Sequence, residues 1–223
     1  MSDFLVRKLD PSSAFPPSNP GSLPEIHAVE SVLSKAFSGG KCRIMAHPNT
    51  DAIPDIFTAV VTAHDPNGLD TGHVGPFWVS TVVAGLLGGE VYVAETNDAE
   101  RKIIGCAVWF GPGHSMYDTE EQQKHALGPL MASFDDKLQH WWHAVFLPKY
   151  DNFVTSVLGV DMKHNSWHLQ TLGVDPGYQR KGAATLLVNT IVEKASLSGA
   201  KLCVELENDV NVKHYSPNSP YMN

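Results

Sequence analysis

The residues best suited to chemistry stand together at Gln179-Arg180-Lys181-Gly182-Ala183-Ala184, where two cations precede three residues with little or no side chain. Apolar residues at Ala183, Ala184, Leu187, Val188, Ile191, Val192 and Ala195 recur at helical spacing, which puts the small residues in the first turn of a helix. That turn has backbone N–H groups without intrahelical partners and carries the positive end of the helix dipole, so a phosphate can satisfy several donors at once. Gly182, Ala183 and Ala184 leave the backbone open to approach, while Arg180 and Lys181 add charge. Interactions of this kind contribute about 0.3–3 kcal/mol each, and several together can hold a pyrophosphate. On the residues alone, the same six positions also suit a tight strand-to-helix turn with two solvated cations and a glycine chosen for close packing.

The elements around the turn are readable too. Trp167, Leu169, Thr171 and Gly173 alternate with His168, Gln170, Leu172 and Val174, which predicts a strand that ends at Asp175-Pro176. Ser198-Gly199 supplies a stop for the helix.

The run Val174-Asp175-Pro176-Gly177-Tyr178-Gln179-Arg180-Lys181-Gly182-Ala183-Ala184 resembles the acetyl-CoA signature of the GNAT family of N-acetyltransferases. There, a strand ending in V-x-P leads to Q/R-x-x-G-x-G/A and a helix. The resemblance implies an α/β, three-layer fold with a mixed, mostly antiparallel central sheet flanked by helices. It implies acetyl-CoA as cosubstrate and transfer of its acetyl group to an amine by direct attack on the thioester, with no metal. The backbone of Leu172, Gly173 and Val174 would polarise the thioester and pair with the pantetheine arm, and Gln179, Arg180, Lys181, Gly182, Ala183 and Ala184 would hold the pyrophosphate. Downstream, Asn208 and Tyr215 stand in the family's relation of strand-end Asn and following helical Tyr. Tyr215 is then the candidate acid for the leaving thiolate.

An alkylamine with a pKa near ~10.4 is neutral in only roughly one molecule in two thousand at pH 7, so a base must take its proton. His168 on the signature strand, and Glu205 and Glu207 on the strand after the signature helix, are the candidates by position, Glu207 being preferred of the two glutamates. Each also reads as an ordinary packing or surface residue.

Composition bounds these expectations. At 223 residues and 43% hydrophobic content the chain can bury its core as one domain, spanning 1–223. A formal charge of -8 argues against nucleic-acid binding and suits cationic small molecules or peptides as acceptors, with Arg180 and Lys181 a local exception for an anionic cosubstrate. Cys42, Cys106 and Cys203 are widely spaced, and the last two sit in apolar runs, which suits buried thiols in a reducing compartment. No secretory signal is legible at the N-terminus, and the most apolar stretch, 74–94, is broken by Pro76, several glycines and Glu90. These features imply a cytoplasmic or nuclear protein that does not cross a membrane. The eleven histidines include His140-x-x-His143, but no H-E-x-x-H and no paired cysteines at ligand spacing accompany it, so no metal site is expected. Oligomeric state is not legible.

In chain order, residues 4–9 read as a first strand, followed by a Pro/Ser-rich loop over 12–22. Ile26, Val29, Val32, Leu33 and Phe37 predict a helix from Pro24 to Phe37, and a second helix is expected over 53–63. The resemblance sets both beside the acceptor groove, where Phe37 or Phe57 could line it. A third helix is expected from Pro76 to Leu87, then strands at 91–94 and 103–110 joined by a polar hairpin tip. Residues 111–165 read as a helical insertion, with helices over 135–147 and 150–158 separated by a break at Pro148. Trp141 and Trp142 lie in it, suited to packing or to bordering an acceptor. Lys201 to Glu207 reads as a strand. After Tyr215 the chain runs Ser216-Pro217-Asn218-Ser219-Pro220-Tyr221-Met222-Asn223, too short for the family's last two strands, which implies a shortened C-terminal end. Three functions therefore stand open: an N-acetyltransferase, a CoA-binding module of the same fold with little or no activity, and an α/β interaction protein whose glycine turn is only structural.

Overall fold

Five strands form one mixed sheet in the computed structural model, which describes residues 3–10, 24–37 and 72–204. They are β1 (Phe4–Lys8), β2 (Glu90–Thr96), β3 (Ile103–Phe110), β4 (Trp167–Val174) and β5 (Leu202–Val204), lying side by side in chain order. The first three junctions are antiparallel and β4 runs parallel to β5, so the sheet is mixed and mostly antiparallel, as expected. A parallel step needs a crossover, and the helix between β4 and β5 supplies it.

Two apolar clusters cover the two faces. On one face, Val91, Val93, Cys106, Val108 and Phe110 pack against α1 (Pro24–Phe37) and α2 (Val74–Gly88). On the other, Tyr92, Ala94, Ile104, Ala107 and Trp109 pack against α7 (Ala183–Ser198) through Leu187 and Ile191. Helix α1 forms where the spacing predicts: Pro24 sits at its first position, Glu25 in its first turn and Lys35 in its last, charges that complement the helix dipole. Its buried stripe is Ile26, Val29, Val32 and Leu33. Helix α2 starts two residues before the expected Pro76 and is buried on nearly every side, lying between the sheet and the helices that follow β3. The helix expected over 53–63 lies outside the described residues.

Those later helices are α3 (Glu120–Gln122), α4 (Gly128–Ser133), α5 (Asp136–Trp141) and α6 (Leu147–Leu158). The sequence pattern did not reveal α3 or α4. The expected break at Pro148 does not occur. Instead the chain widens to a π turn over Trp142–Phe146, whose closing bond runs from the Leu147 N–H to the Trp142 carbonyl, and α6 continues directly. Gln123–Leu127 does the same before Pro129, with the Gly128 N–H reaching the Gln123 carbonyl. A proline has no N–H and crowds the carbonyl four residues back. Shifting the bonds to five residues at that point accommodates both effects without ending the helix. Trp142 is buried beside Phe134 and Phe146, with ring centroids 5.8 and 5.1 Å away, while Trp141 is half-buried.

A polar link ties α2 to this layer. Ser80 Oγ donates to the Ala126 carbonyl at 2.9 Å, which leaves it to accept from the Tyr117 hydroxyl at 2.7 Å. Burial pushes the Tyr117 phenol up to about 12, against the opposing pull of the Ser80 bond. The phenol therefore stays protonated at neutral pH.

Candidate functional site

The turn between β4 and α7 carries Gln179, Arg180, Lys181 and Gly182, directly after Leu172, Gly173 and Val174 at the end of β4 and before Ala183 and Ala184 at the start of α7. The strand β4 delivers the chain to it at Val174, whose pairing with Gly105 is followed by a bond from the Asp175 N–H to the Ile104 carbonyl at 2.9 Å. A single 3-10 turn, Pro176–Tyr178, then reverses the chain. Asp175 caps this turn: its Oδ1 accepts from the Gly177 N–H at 3.0 Å, and its carbonyl accepts from the Tyr178 N–H at 2.8 Å. Its other carboxylate oxygen lies 3.8 Å from Lys35 Nζ at the end of α1.

Beyond the turn the backbone takes two left-handed steps, at Arg180 (φ 59°) and Gly182 (φ 92°). Gly182 is the cap of α7 and supplies no side chain to its first-turn N–H groups. A Cβ on Gly182 would meet nothing within 4 Å, so the space beside the helix start is open. A helix N-terminus without a side-chain cap, next to a left-handed step, has the geometry of an anion-binding concavity. Its floor is small: Ala183, the first residue of α7, is buried and Ala184 half-buried.

Two polar side chains of the loop, Gln179 and Lys181, bond to the loop's own backbone. The Gln179 amide donates to the Val174 carbonyl at 3.0 Å, turning back into the loop. Lys181 Nζ donates to the Gly177 carbonyl at 3.0 Å and lies 5.3 Å from the Tyr178 ring centre. Lys102, from the β2–β3 hairpin, lies over the same ring at 5.6 Å. Arg180 is exposed on its left-handed backbone and, among the described residues, has no ion pair or hydrogen bond. It remains the cation open to an anion at this turn.

Along β4 the structure departs from simple alternation. Val108 pairs with Thr171 but Trp109 pairs with Leu169, so Gln170 is an extra, bulged residue. As a result Trp167 and Leu169 pack under α7, and so do Leu172 and Val174. Gly173 faces the other way, toward Leu33, Ala36 and Phe37 of α1. The sequence pattern put Leu169 and Gly173 on one face, and the bulge separates them. Among the α1-side residues, Phe37 thus comes within 3.5 Å of where a Gly173 Cβ would be.

His168 is buried, pairs across the sheet with Phe110 and Cys203, and lies six residues before Val174, roughly 20 Å along the strand from the turn. It is therefore not part of the loop cluster. Glu205, Glu207, Asn208 and Tyr215 lie outside the described residues, as do Phe57 and Cys42. Lys102 and Lys35 complete the turn and were not singled out from the sequence, nor was the capping role of Asp175. One signal was present: an Asp two residues before a Gly is the pattern of a side chain that caps its own turn. Cys106 and Cys203 are free and buried, and burial pushes the Cys106 thiol well above its ordinary value. No group of three or more potential metal ligands occurs among the described residues. None of the described helices is long and apolar enough to cross a membrane.

Comparison with known proteins agrees on the region. The model of the acetyltransferase (GNAT) family matches residues 88–216, more than half of the chain. No curated protein matches the sequence. Among solved structures, a mosquito arylalkylamine N-acetyltransferase like 5b is similar over 94% of this chain and 79% of its own, at 19% identity and a TM-score of 0.51. A histone acetyltransferase HPA2 and related acetyltransferase from Corynebacterium glutamicum is similar over 96% and 82%, at 16% identity and the same TM-score of 0.51. At such identities the likeness is one of fold.

Proposed function

The chain belongs to the acetyltransferase (GNAT) family, and on that premise we propose that it moves an acetyl group from acetyl-CoA to the amine of a small molecule or peptide. The observation that carries this reading is the start of α7, where Gly182 stands left-handed and without a side-chain cap directly after the Val174-Asp175-Pro176 strand end. The residues fit the cosubstrate: the helix start has no side-chain cap, and the space a Cβ would fill at Gly182 is clear. Bound acetyl-CoA supplies an activated acyl group, so that the N–C bond forms as the C–S bond breaks and the amine proton is passed on toward the released thiol.

The protein's part is to hold and to move protons. Arg180, Lys181 and the backbone of Gly182, Ala183 and Ala184 hold the pyrophosphate, with Gln179 bracing the loop from inside. The backbone of Leu172, Gly173 and Val174 lines the pantetheine arm, and Asn208 belongs to the same cofactor set. Tyr215 donates to the leaving thiolate, and Glu207 or His168 relays the proton from the incoming amine. Proximity of the two reactants supplies much of the rate. In this reading one domain spans 1–223, with 111–165 as an inserted helical cap, and the buried free thiols suit a cytoplasmic or nuclear setting.

Titration calorimetry with acetyl-CoA, followed by thiol release across a panel of amines, tests the proposal. Binding that is lost in Gly182→Glu, together with turnover on at least one amine, is the expected result. Absence of binding to the wild-type protein would sink the reading, and binding without turnover on any amine would replace it with a non-catalytic CoA-binding module.

A further inference from the structure

Asp175 is one of the less exposed charged side chains of the cofactor turn, its carboxylate 14% exposed, and its two oxygens have separate neighbours. Oδ1 accepts from the Gly177 N–H at 3.0 Å, while Oδ2 faces Lys35 Nζ at 3.8 Å. The same residue's N–H is bonded to the Ile104 carbonyl on β3, so its backbone position is fixed by the sheet before the turn begins. The turn it caps carries Tyr178, which is gripped by Lys102 and Lys181, and Lys181 bonds in turn to the Gly177 carbonyl. Gly177 is thus held at both backbone groups, its N–H by Asp175 and its carbonyl by Lys181. The left-handed step at Arg180 and the open start of α7 come directly after this braced turn.

We infer that Asp175 is a positioning residue for acetyl-CoA binding, acting through its cap on Gly177 to set the path of the backbone that enters α7. The inference rests on the acetyl-CoA reading of the same turn. The contact with Lys35 is secondary, because that lysine is 58% exposed and 3.8 Å away, a geometry in which ion pairs contribute little. The cap is short and local, with the Asp175 carboxylate mostly buried and the Gly177 N–H at an exposed position. Its loss leaves the Gly177 N–H without its acceptor and frees the turn to shift relative to the helix start.

Four variants separate the cap from the charge, with acetyl-CoA affinity read by calorimetry, kcat and KM read with any amine found to turn over, and unfolding followed in urea. Asp175→Ala is expected to raise the acetyl-CoA Kd by about three- to thirtyfold, the range that loss of a capping bond converts to. The kcat at saturating acetyl-CoA is expected to stay within about twofold, because the chemistry lies elsewhere on β4. Asp175→Asn keeps an oxygen at the cap without the charge and is expected to bind within about twofold of wild type. Asp175→Glu keeps the charge but displaces the oxygen, and is expected to bind as weakly as the alanine variant. Lys35→Met is expected to bind as wild type does. If Asp175→Ala is too unstable to titrate, the Asn and Glu pair alone decides the matter. Wild-type affinity in Asp175→Glu with weakened binding in Asp175→Asn would overturn the cap in favour of the charge, and unchanged affinity in all variants would overturn the inference while leaving the acetyl-CoA reading intact. Failure of the wild-type protein itself to bind would overturn both.

Discussion

Leu33 of α1 and Gly173 of β4 meet so closely that a Cβ on residue 173 would stand 2.7 Å from Leu33 Cδ2. Ala36 would lie 3.3 Å from the same point. The absence of a side chain at Gly173 is therefore what lets α1 approach the strand that the proposed cosubstrate follows. Gly173→Ala is expected to destabilise the protein by about 1–3 kcal/mol, because Leu33 is fully buried and has little room to give. Leu33→Ala alone is expected to cost about 2–5 kcal/mol. The double variant should cost less than the two added together, since removing one methyl end makes room for the other. Urea unfolding of the four proteins measures this, and strictly additive costs would mean that the two residues do not share the space.

The helix start at Gly182 is governed by backbone conformation rather than by crowding. A Cβ there meets no atom within 4 Å, yet φ is 92°. Gly182→Ala is thus expected to cost about 1–2 kcal/mol through strain alone. Arg180, at φ 59°, already carries such strain, so Arg180→Gly is expected to leave stability within about 1 kcal/mol of wild type while weakening acetyl-CoA binding through loss of charge. Equal stability losses in the two variants would contradict this account.

Glu90 joins three elements, accepting from Lys194 of α7 at 2.6 Å, Lys8 of β1 at 2.9 Å and the Tyr92 hydroxyl at 2.8 Å. Burial alone would raise its carboxyl, but the bonds from Lys194, Lys8 and Tyr92 outweigh that and hold it below the ordinary 4.5. Burial likewise would lower Lys194, and its bonds to Glu90 and Tyr92 hold it above the ordinary 10.5. The carboxylate's contribution is complete above its unfolded value and is lost as pH falls through the lower folded one. The ammonium's is complete below its unfolded value and is lost as pH rises through the higher folded one. Because both lysines are more than 40% exposed, the whole cluster is expected to contribute only about 1 kcal/mol. Glu90→Gln should therefore lower stability by about that amount at neutral pH, with the difference from wild type shrinking as pH falls below the ordinary 4.5 and through the lower folded value. Urea midpoints recorded across the acid range test it, and a deficit that persists undiminished at low pH would exclude the carboxylate as its source.

Adjacent tryptophans on the helical layer pack against the same phenylalanine and differ in burial. Trp142 is 2% exposed among Phe134 and Phe146, whereas Trp141 is half-buried at 5.5 Å from Phe146. Trp142→Ala is expected to cost about 3–5 kcal/mol and Trp141→Ala about 1–2 kcal/mol. Thermal unfolding with tryptophan fluorescence distinguishes them, and a larger loss for Trp141 would invert the assignment.

What the sequence determined by itself is whatever a few neighbouring residues decide. The stripe and charges of Pro24–Phe37, the bounds of Ile103–Phe110 and Trp167–Val174, and the stop at Gly199, which takes φ 67° and closes α7, are all local matters of periodicity and capping. The small residues and cations of 179–184 were legible for the same reason. The tertiary structure decided the rest. Leu169 and Leu172 share a face only because β3 sets its register against β4 through a bulge at Gln170, and no pattern within β4 carries that information. Pro148 does not end its helix because a π turn absorbs it. Lys35, Lys102 and Asp175 meet at one turn because the sheet brings α1, the β2–β3 hairpin and β4 together there. Local bonds are fixed by residues a few positions apart, while register, bulges and the company a loop keeps are fixed by side chains that are distant in the chain and adjacent only after folding.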